Sequence, residues 1–480
     1  MWRALYFRQI NRATLIGFGS GAVLAGIGLA RAGWSIDWSV ALIGTALLWL
    51  CVKRRLIVAL PAVIAAGLLI GFARGGDMAT QVARYDQLAE QKIVLTGTVI
   101  QDATYGSRRQ LDFMMGGIRI GDRQLPGEVR VTTFDPVEPR QGDIVSVSGK
   151  AKSGFGNYQL GMYFANVRVV RQGSSWITWI RRQFSAAIRS VVPEPQASLG
   201  LGFLLGIKSQ LPDDLYDQLK VVGLTHIVVA SGYNLTILVR AMRRLLAKRS
   251  KFQATAAATG LMAGFVGVTG LSPSMTRAAL VTSLSLAAWY YGRAIHPVVL
   301  LLFTAATTGL WNPLYVWGDV GWYLSFLAFG GVMLLAPLAL KRLWGSRNPP
   351  QIAQIVVETI CAELATLPLI MFVFGSVSMV ALGANIIIAP LVPVAMLCTF
   401  VAGLACVLLP GPGAWLALPA AWVLTYMTSM VAWLAAIPWA KQQASLDATG
   451  MLCVYATLLV AGIVAWRRLG YNYLSKSIVE

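Results

Sequence analysis

LATLPLIMFVFGSVSMVALGANIIIAPLVPVAMLCTFVAGLACVLLPGPGAWLALPAAWVLTYMTSMVAWLAAIPWA, residues 364–440, contains no Asp, Glu, Lys, Arg or His. A helix needs roughly 20 apolar residues to cross the hydrocarbon of a bilayer, so this stretch reads as three spans. Working outward from it, uncharged runs recur at 13–30, 56–73, 252–276, 294–318, 320–340 and 448–466. Shorter apolar stretches at 38–52, 221–239 and 278–292, with a helix centred near Ala362, bring the expectation to about twelve spans. The chain as a whole is 56% hydrophobic and 12% charged, with a mean hydropathy of +0.64. That composition excludes a soluble domain and calls for a lipid bilayer as partner.

Forty Lys and Arg against twenty Asp and Glu give a formal charge of +20. In a soluble protein such an excess would point to nucleic acid; in a membrane protein, basic residues also gather at the cytoplasmic ends of spans. Arg3, Arg8 and Arg12 precede the first run, and Lys53, Arg54 and Arg55 follow the second. Further clusters are Arg240, Arg243, Arg244, Lys248, Arg249 and Lys251, then Lys341, Arg342 and Arg347, then Arg467, Arg468 and Lys476. Placing all of them inside leaves both termini cytoplasmic, and the polar segment after the third span falls outside the cytoplasm. The first run has no convincing cleavage site behind it and reads as a retained helix.

That polar segment, 85–172, changes composition abruptly. Alternating stretches at 93–101, 128–133 and 143–150 are separated by Gly, Pro and Asp, the pattern of strands and turns. Five or six short strands in about ninety residues suit a small barrel of the OB type. The expected fold is therefore a polytopic α-helical membrane protein with an inserted extracytoplasmic β-barrel. The expected parts are membrane helices in 1–75, the barrel in 85–172, an amphipathic interfacial helix in 175–192, a channel domain in 196–470 and a cytoplasmic tail in 471–480. The amphipathic helix is read from Trp176, Ile177, Trp179, Ile180, Phe184 and Ile188 at helical spacing. Residues 199–207 are too short to span and read as a re-entrant or surface segment.

The five cysteines lie in or beside apolar runs, so no disulfide framework is implied. Two histidines, His226 and His296, cannot build a His-rich zinc site. Glu358 and Glu363, five residues apart, sit about 140° apart on a helix and form no acid/base dyad. The same angle separates His226 from Ser231, which argues against a nucleophile and base within one regular helix. No GxxxxGK[ST] loop is present, so the expectation is a non-enzyme without metal or cofactor. In the barrel segment Tyr105, Phe113, Phe155, Tyr158 and Tyr163 accompany Arg108, Arg109, Arg119, Arg123, Arg130 and Lys152, and aromatic faces beside cations are how OB-type barrels hold single strands. Gly223, Leu224, Thr225 and His226, then Ala230 to Asn234, put small and polar residues inside an apolar stretch. They read either as helix packing or as a broken helix lining an aqueous path. Arg277, Asp319, Glu358 and Glu363 are the ionisable groups expected within the membrane part.

From about Gly200 onward the chain resembles the ComEC DNA-uptake family. The resemblance rests on ordered phrases: GLTHIVVASGYN at 223–234, TGLSPSMTRAA at 269–279, Asn312 to Leu314, DVGWYLSF at 319–326, TLPLIMFVF at 366–374 and ANIIIAPLVP at 384–393. The layout before them, three spans, a barrel and an amphipathic helix, is similar to that family's amino-terminal region. It implies a channel in the bacterial inner membrane that passes single-stranded DNA to the cytoplasm during natural transformation. The positions carried over are Gly223, His226, Ser231, Gly232, Arg277, Asp319, Gly321, Ser325, Asn385 and Pro390, with Asn234 and Tyr233 standing where the family usually has His and Leu. Trp322 and Tyr323 replace the usual Phe and Gln, and Glu363 a more common neutral residue. Candidate DNA contacts are Tyr105, Arg108, Arg109, Phe155 and Tyr158 outside and Arg240, Arg243 and Arg244 inside.

Many relatives carry a carboxyl-terminal metallo-β-lactamase-like nuclease. About a dozen residues follow the last expected span here, so the nuclease is expected to be absent. A separate DNA receptor, nuclease and cytoplasmic motor or single-strand-binding proteins are then expected as partners. The rival expectations are a transporter or exporter of another polar solute and a membrane scaffold, each with the barrel as an external ligand-binding module.

Overall fold

The computed structural model describes residues 11–33, 36–53, 59–105, 110–137, 139–173, 176–207, 211–228, 232–246, 248–270, 273–293, 295–345, 347–409 and 411–471. The described backbone forms two units, one of residues 11–173 with Leu284–Tyr323 and one of residues 176–283 with 324–471.

In the first unit, α1 (Arg12–Ala30), α2 (Trp38–Lys53) and α3 (Ala59–Asp86) follow one another. Gly67, Gly71 and Gly75 recur every four residues and so share one face of α3. That face meets α1 almost backbone to backbone. A Cβ on Gly67 would lie 2.5 Å from the Gly19 carbonyl and 2.8 Å from Ala22 Cβ, and one on Gly71 would collide with the Val23 carbonyl. Apolar side chains gain little by leaving lipid for one another, so helix pairs in a bilayer are held by such close packing of small residues. At 28 residues, α3 is about 42 Å long and outlasts the roughly 30 Å hydrocarbon. Its last turn enters the barrel, where Tyr85 is buried with Leu95, Met115, Val147 and Met162.

The barrel strands are β1 (Lys92–Val99), β2 (Thr104–Tyr105), β3 (Leu111–Ile120), β4 (Arg123–Thr133), β5 (Ile144–Ser153) and β6 (Leu160–Arg171). Ladders run β1–β3–β4–β6–β5 and back to β1, closing a five-stranded barrel; β4 and β6 are parallel and the other pairs antiparallel. The short β2 adds to the edge of β3. Counting only the five long strands, their order is first, second, third, fifth, fourth, the Greek-key closure of an OB-like barrel. Alternation sets the core: Val145, Val147 and Ala151 of β5 point inward at 0% exposure, while Lys150 and Lys152 point outward. Gln159 ties the barrel to the stalk, its Oε1 accepting from Glu128 N at 2.7 Å and its Nε2 lying 3.6 Å from Met78 Sδ on α3.

Eight helices among the described residues are long and apolar enough to cross a membrane. The helix 381–408 illustrates what they bury. Ala395, Thr399, Ala402 and Gly403 face inward, whereas Leu397, Phe400, Leu404 and Leu408 are exposed.

Two expectations are corrected in the second unit. Residues 221–239 are not one span: helix Asp213–Val222 ends at Gly223, a turn Thr225–Val228 follows, and a new helix runs Gly232–Leu245. Gly223 adopts φ +79°, a left-handed cap that stops the first helix. Of the two readings of residues 199–207, re-entrant or surface, the surface one is ruled out. These residues lie mostly in the helix Gln196–Leu205, whose Ala197, Leu199, Leu201 and Phe203 are all at most 2% exposed, because its small residues admit neighbours on every side. A Cβ on Gly200, for example, would stand 2.9 Å from Thr399 Oγ1.

Candidate nucleic-acid interface and membrane motif

In the second unit the small residues of the motif mark close approaches. A Cβ on Gly223 would stand 3.0 Å from Ala381 Cβ and 3.2 Å from Ser378 Cβ, so glycine is required there for space as well as for its φ. The His226 ring donates through Nδ1 to the Gly223 carbonyl at 3.1 Å, which turns the imidazole onto its own turn. Gly232 opens the next helix, and a Cβ on it would stand 2.6 Å from Ala278 Cβ. Asn234, two residues on, is buried, and so is Arg277, the neighbour of Ala278. The Arg277 guanidinium lies 5.9 Å from the centre of the Phe326 ring, whose π face attracts it.

Asn385 donates through Nδ2 to Glu363 Oε1 at 2.8 Å, joining two apolar helices by a side-chain hydrogen bond. Pro390 stands in the tight turn Ala389–Leu391 inside 381–408, and Ser325 is half-buried in the helix Val320–Gly330. Arg240 and Arg244 are exposed on Gly232–Leu245, and Arg243 is half-buried. Ser231 lies outside the described residues.

Asp319 and Gly321 belong to the first unit, where Asp319 has a local task. Its Oδ1 accepts from Trp322 N at 2.9 Å and caps the helix that begins at Val320. Gly321 leaves room for that carboxylate, since a Cβ there would stand 3.1 Å from it. Trp322 in turn donates through Nε1 to Thr308 Oγ1 at 3.0 Å.

On the barrel the expected aromatics separate. Phe113 is in the core at 3% exposure and Phe155 stands free at 71%. Tyr158 is buried to 6%, its hydroxyl 3.4 Å from that of Tyr163. Burial, helped by the Tyr163 hydroxyl, pushes the Tyr158 phenol up to about 12. Arg130 reaches over the Tyr158 ring at 5.9 Å, and Lys152 over the Tyr163 ring at 5.7 Å. Burial pulls the Arg130 guanidinium down, but the Asp112 carboxylate at 3.0 Å outweighs it and the net direction is up. Arg108, Arg109 and the side chain of Tyr105 lie outside the described part. Two rings that sequence reasoning passed over are also open: Phe134 and Phe164, 55% and 79% exposed, stack on each other with centres 5.8 Å apart. The only signal was the break in alternation where Tyr163 and Phe164 follow each other between inward Met162 and Ala165.

The family model for competence proteins matches residues 203–469, more than half of the chain. The chain belongs to the competence protein family. Over 226 residues it is 20% identical to ComE operon protein 3 of Bacillus subtilis (strain 168), covering 47% of this chain and 28% of that protein. The match thus spans less than a third of that relative's length. No solved structure matches the chain. The ComEC-type resemblance read from the motifs is shown by the family match, which contains all the motif residues from Gly223 to Pro390.

Proposed function

We propose that this protein is an inner-membrane channel that carries single-stranded DNA into the cytoplasm during natural transformation. Membership of the competence family suggests the coarser role, DNA uptake. The observation that carries the finer one is the joining of that family domain to a closed OB-like barrel mounted on α3. The barrel stands outside the membrane and collects the strand by stacking and charge. The membrane helices enclose the path, with both termini in the cytoplasm. A polyanion needs a wet, polar path with weak successive contacts. The helix break at Gly223 supplies irregular backbone of the kind found where a membrane protein lines a cavity. Arg277, Asn234 and Asn385 border the path, and Arg240, Arg243 and Arg244 meet phosphates as they emerge, an attraction that salt weakens. The chain acts as a channel and not as an enzyme. A receptor, a nuclease and a motor or single-strand-binding protein complete the system, since the sequence holds no phosphate-binding loop to drive movement.

The test is photo-crosslinking in competent cells. A benzophenone side chain at Asn385 is expected to capture labelled transforming DNA, while the same probe at Leu397, 63% exposed on the helix 381–408, captures lipid alone. Equal DNA capture at both positions, or at neither, would remove the proposed path.

A further inference from the structure

The surface around Phe134 and Phe164 is built, not incidental. Outward positions on β4 recur at Arg130, Thr132 and, one step beyond the strand, Phe134. On β6 the ladder with β5 pairs Lys150 with Tyr163 and Ser148 with Asn166, so Phe164 and Ala165 together face the single residue Gly149. This is a β-bulge, the device that re-aims side chains on a strand. It lets Ala165 return to the core at 2% exposure while Tyr163 and Phe164 both turn outward. Phe164 takes φ +53°, a conformation that an aromatic residue adopts at a cost of order 1 kcal/mol or more. Gly149 accommodates the bulge: a Cβ there would stand 3.0 Å from Ala165 Cα.

The other ring is fixed as well. Asp135, next to Phe134, accepts from Val167 N at 2.7 Å and clamps the end of β4 alongside β6. Two large apolar rings are thereby held open to solvent, nearly parallel at 20°. The same outer face carries cations: Lys150 and Lys152 on β5, Arg168 on β6, and Arg130 on β4. Lys152 and Arg130 already lean on Tyr163 and Tyr158.

We propose that Phe134 and Phe164 form a stacking platform for the unpaired bases of a single-stranded nucleic acid, with Lys152 and Arg168 facing its phosphates. Stacked aromatic rings flanked by cations are the recognition chemistry of single strands, and a duplex, whose bases stack on one another, cannot use them. The platform straddles β4 and β6, the third and fifth of the long strands, and so adjoins the second- and third-strand face by which OB-type barrels commonly bind. The proposal rests on the barrel being the collector of the strand, and its test separates the two.

The full chain in nanodiscs is titrated with a labelled oligothymidylate, an abasic oligonucleotide of the same length, and a duplex. The oligothymidylate is expected to bind about tenfold more tightly than the abasic strand. F134A/F164A is expected to erase that difference and F134Y/F164Y to restore it. Hydroxyl-radical labelling of the two rings is expected to fall when oligothymidylate is added. Equal binding of thymidylate and abasic strands, an unchanged F134A/F164A, or rings already shielded by the bilayer before any DNA is added would each overturn the platform. If these variants also leave uptake in cells intact while deletion of the protein abolishes it, the platform fails and the transport reading stands. If deletion leaves uptake intact while the binding results hold, the reverse is true.

Discussion

The barrel and the helix 381–408 bury opposite chemistries. In the barrel Leu95, Val129, Val147 and Met162 are inside at 0% exposure, with lysines and arginines outside. In the helix Thr399, Ala395 and Ala402 are inside at 0%, while Leu397 and Leu408 are outside at 63% and 66%. One chain thus obeys two rules because it is made for two solvents. Water drives apolar surface inward; lipid exerts no such drive, and small side chains that let backbones approach take its place.

The largest effect is expected where α1 and α3 meet. Gly71→Leu puts a branched side chain into the Val23 carbonyl and the backbone of Gly26. It is expected to separate α1 from α3 and to abolish recovery of monodisperse folded protein by size-exclusion chromatography in detergent; recovery at the wild-type level would deny the small-residue seam. Next comes the barrel core. Leu95→Ala is expected to cost about 2–5 kcal/mol, as large-to-small changes in aqueous cores do, seen as faster amide hydrogen exchange throughout β1 and β5.

Glu128 gives a smaller and pH-dependent effect. Burial holds its carboxyl above the usual range. Below its unfolded-state pKa the group is protonated in both states; as pH climbs through its raised folded value, the folded state must carry a desolvated charge and stability falls. Glu128→Gln is therefore expected to slow exchange in β4 at pH 7 and to change nothing below about pH 4. A benefit that grows toward low pH would reverse the assignment. The smallest effect is expected on the lipid side, where Leu397→Ala should shift the melting temperature in nanodiscs by no more than about 0.5 kcal/mol equivalent. A loss as large as that of Leu95→Ala would mean that protein, and not lipid, covers Leu397.

Which parts could be read from sequence follows the same division. Strand alternation made the barrel legible, and the uncharged runs made the membrane class legible, because both depend on local periodicity or length. Residues 221–239 misled because apolar content hid the left-handed break at Gly223, which a hydropathy reading does not see. Gly67, Gly71 and Gly75 were visible as letters, but the face they meet on α1 was not. The bond between Asn385 and Glu363 joins positions 22 apart, and nothing local announces it. At the candidate site, Tyr158 was chosen for its ring and turned out buried. Phe164 was passed over because a bulge, set by pairing with Gly149 on another strand, decides which way it faces.

The most direct measurement is internalisation of labelled DNA by naturally competent cells lacking this protein, complemented at matched membrane levels with the wild type or with Arg277→Glu. Cytoplasmic label is expected to vanish on deletion, return with the wild type and stay absent with Arg277→Glu, because the change reverses the buried positive charge proposed to border the path. Undiminished internalisation in the deletion strain would contradict it.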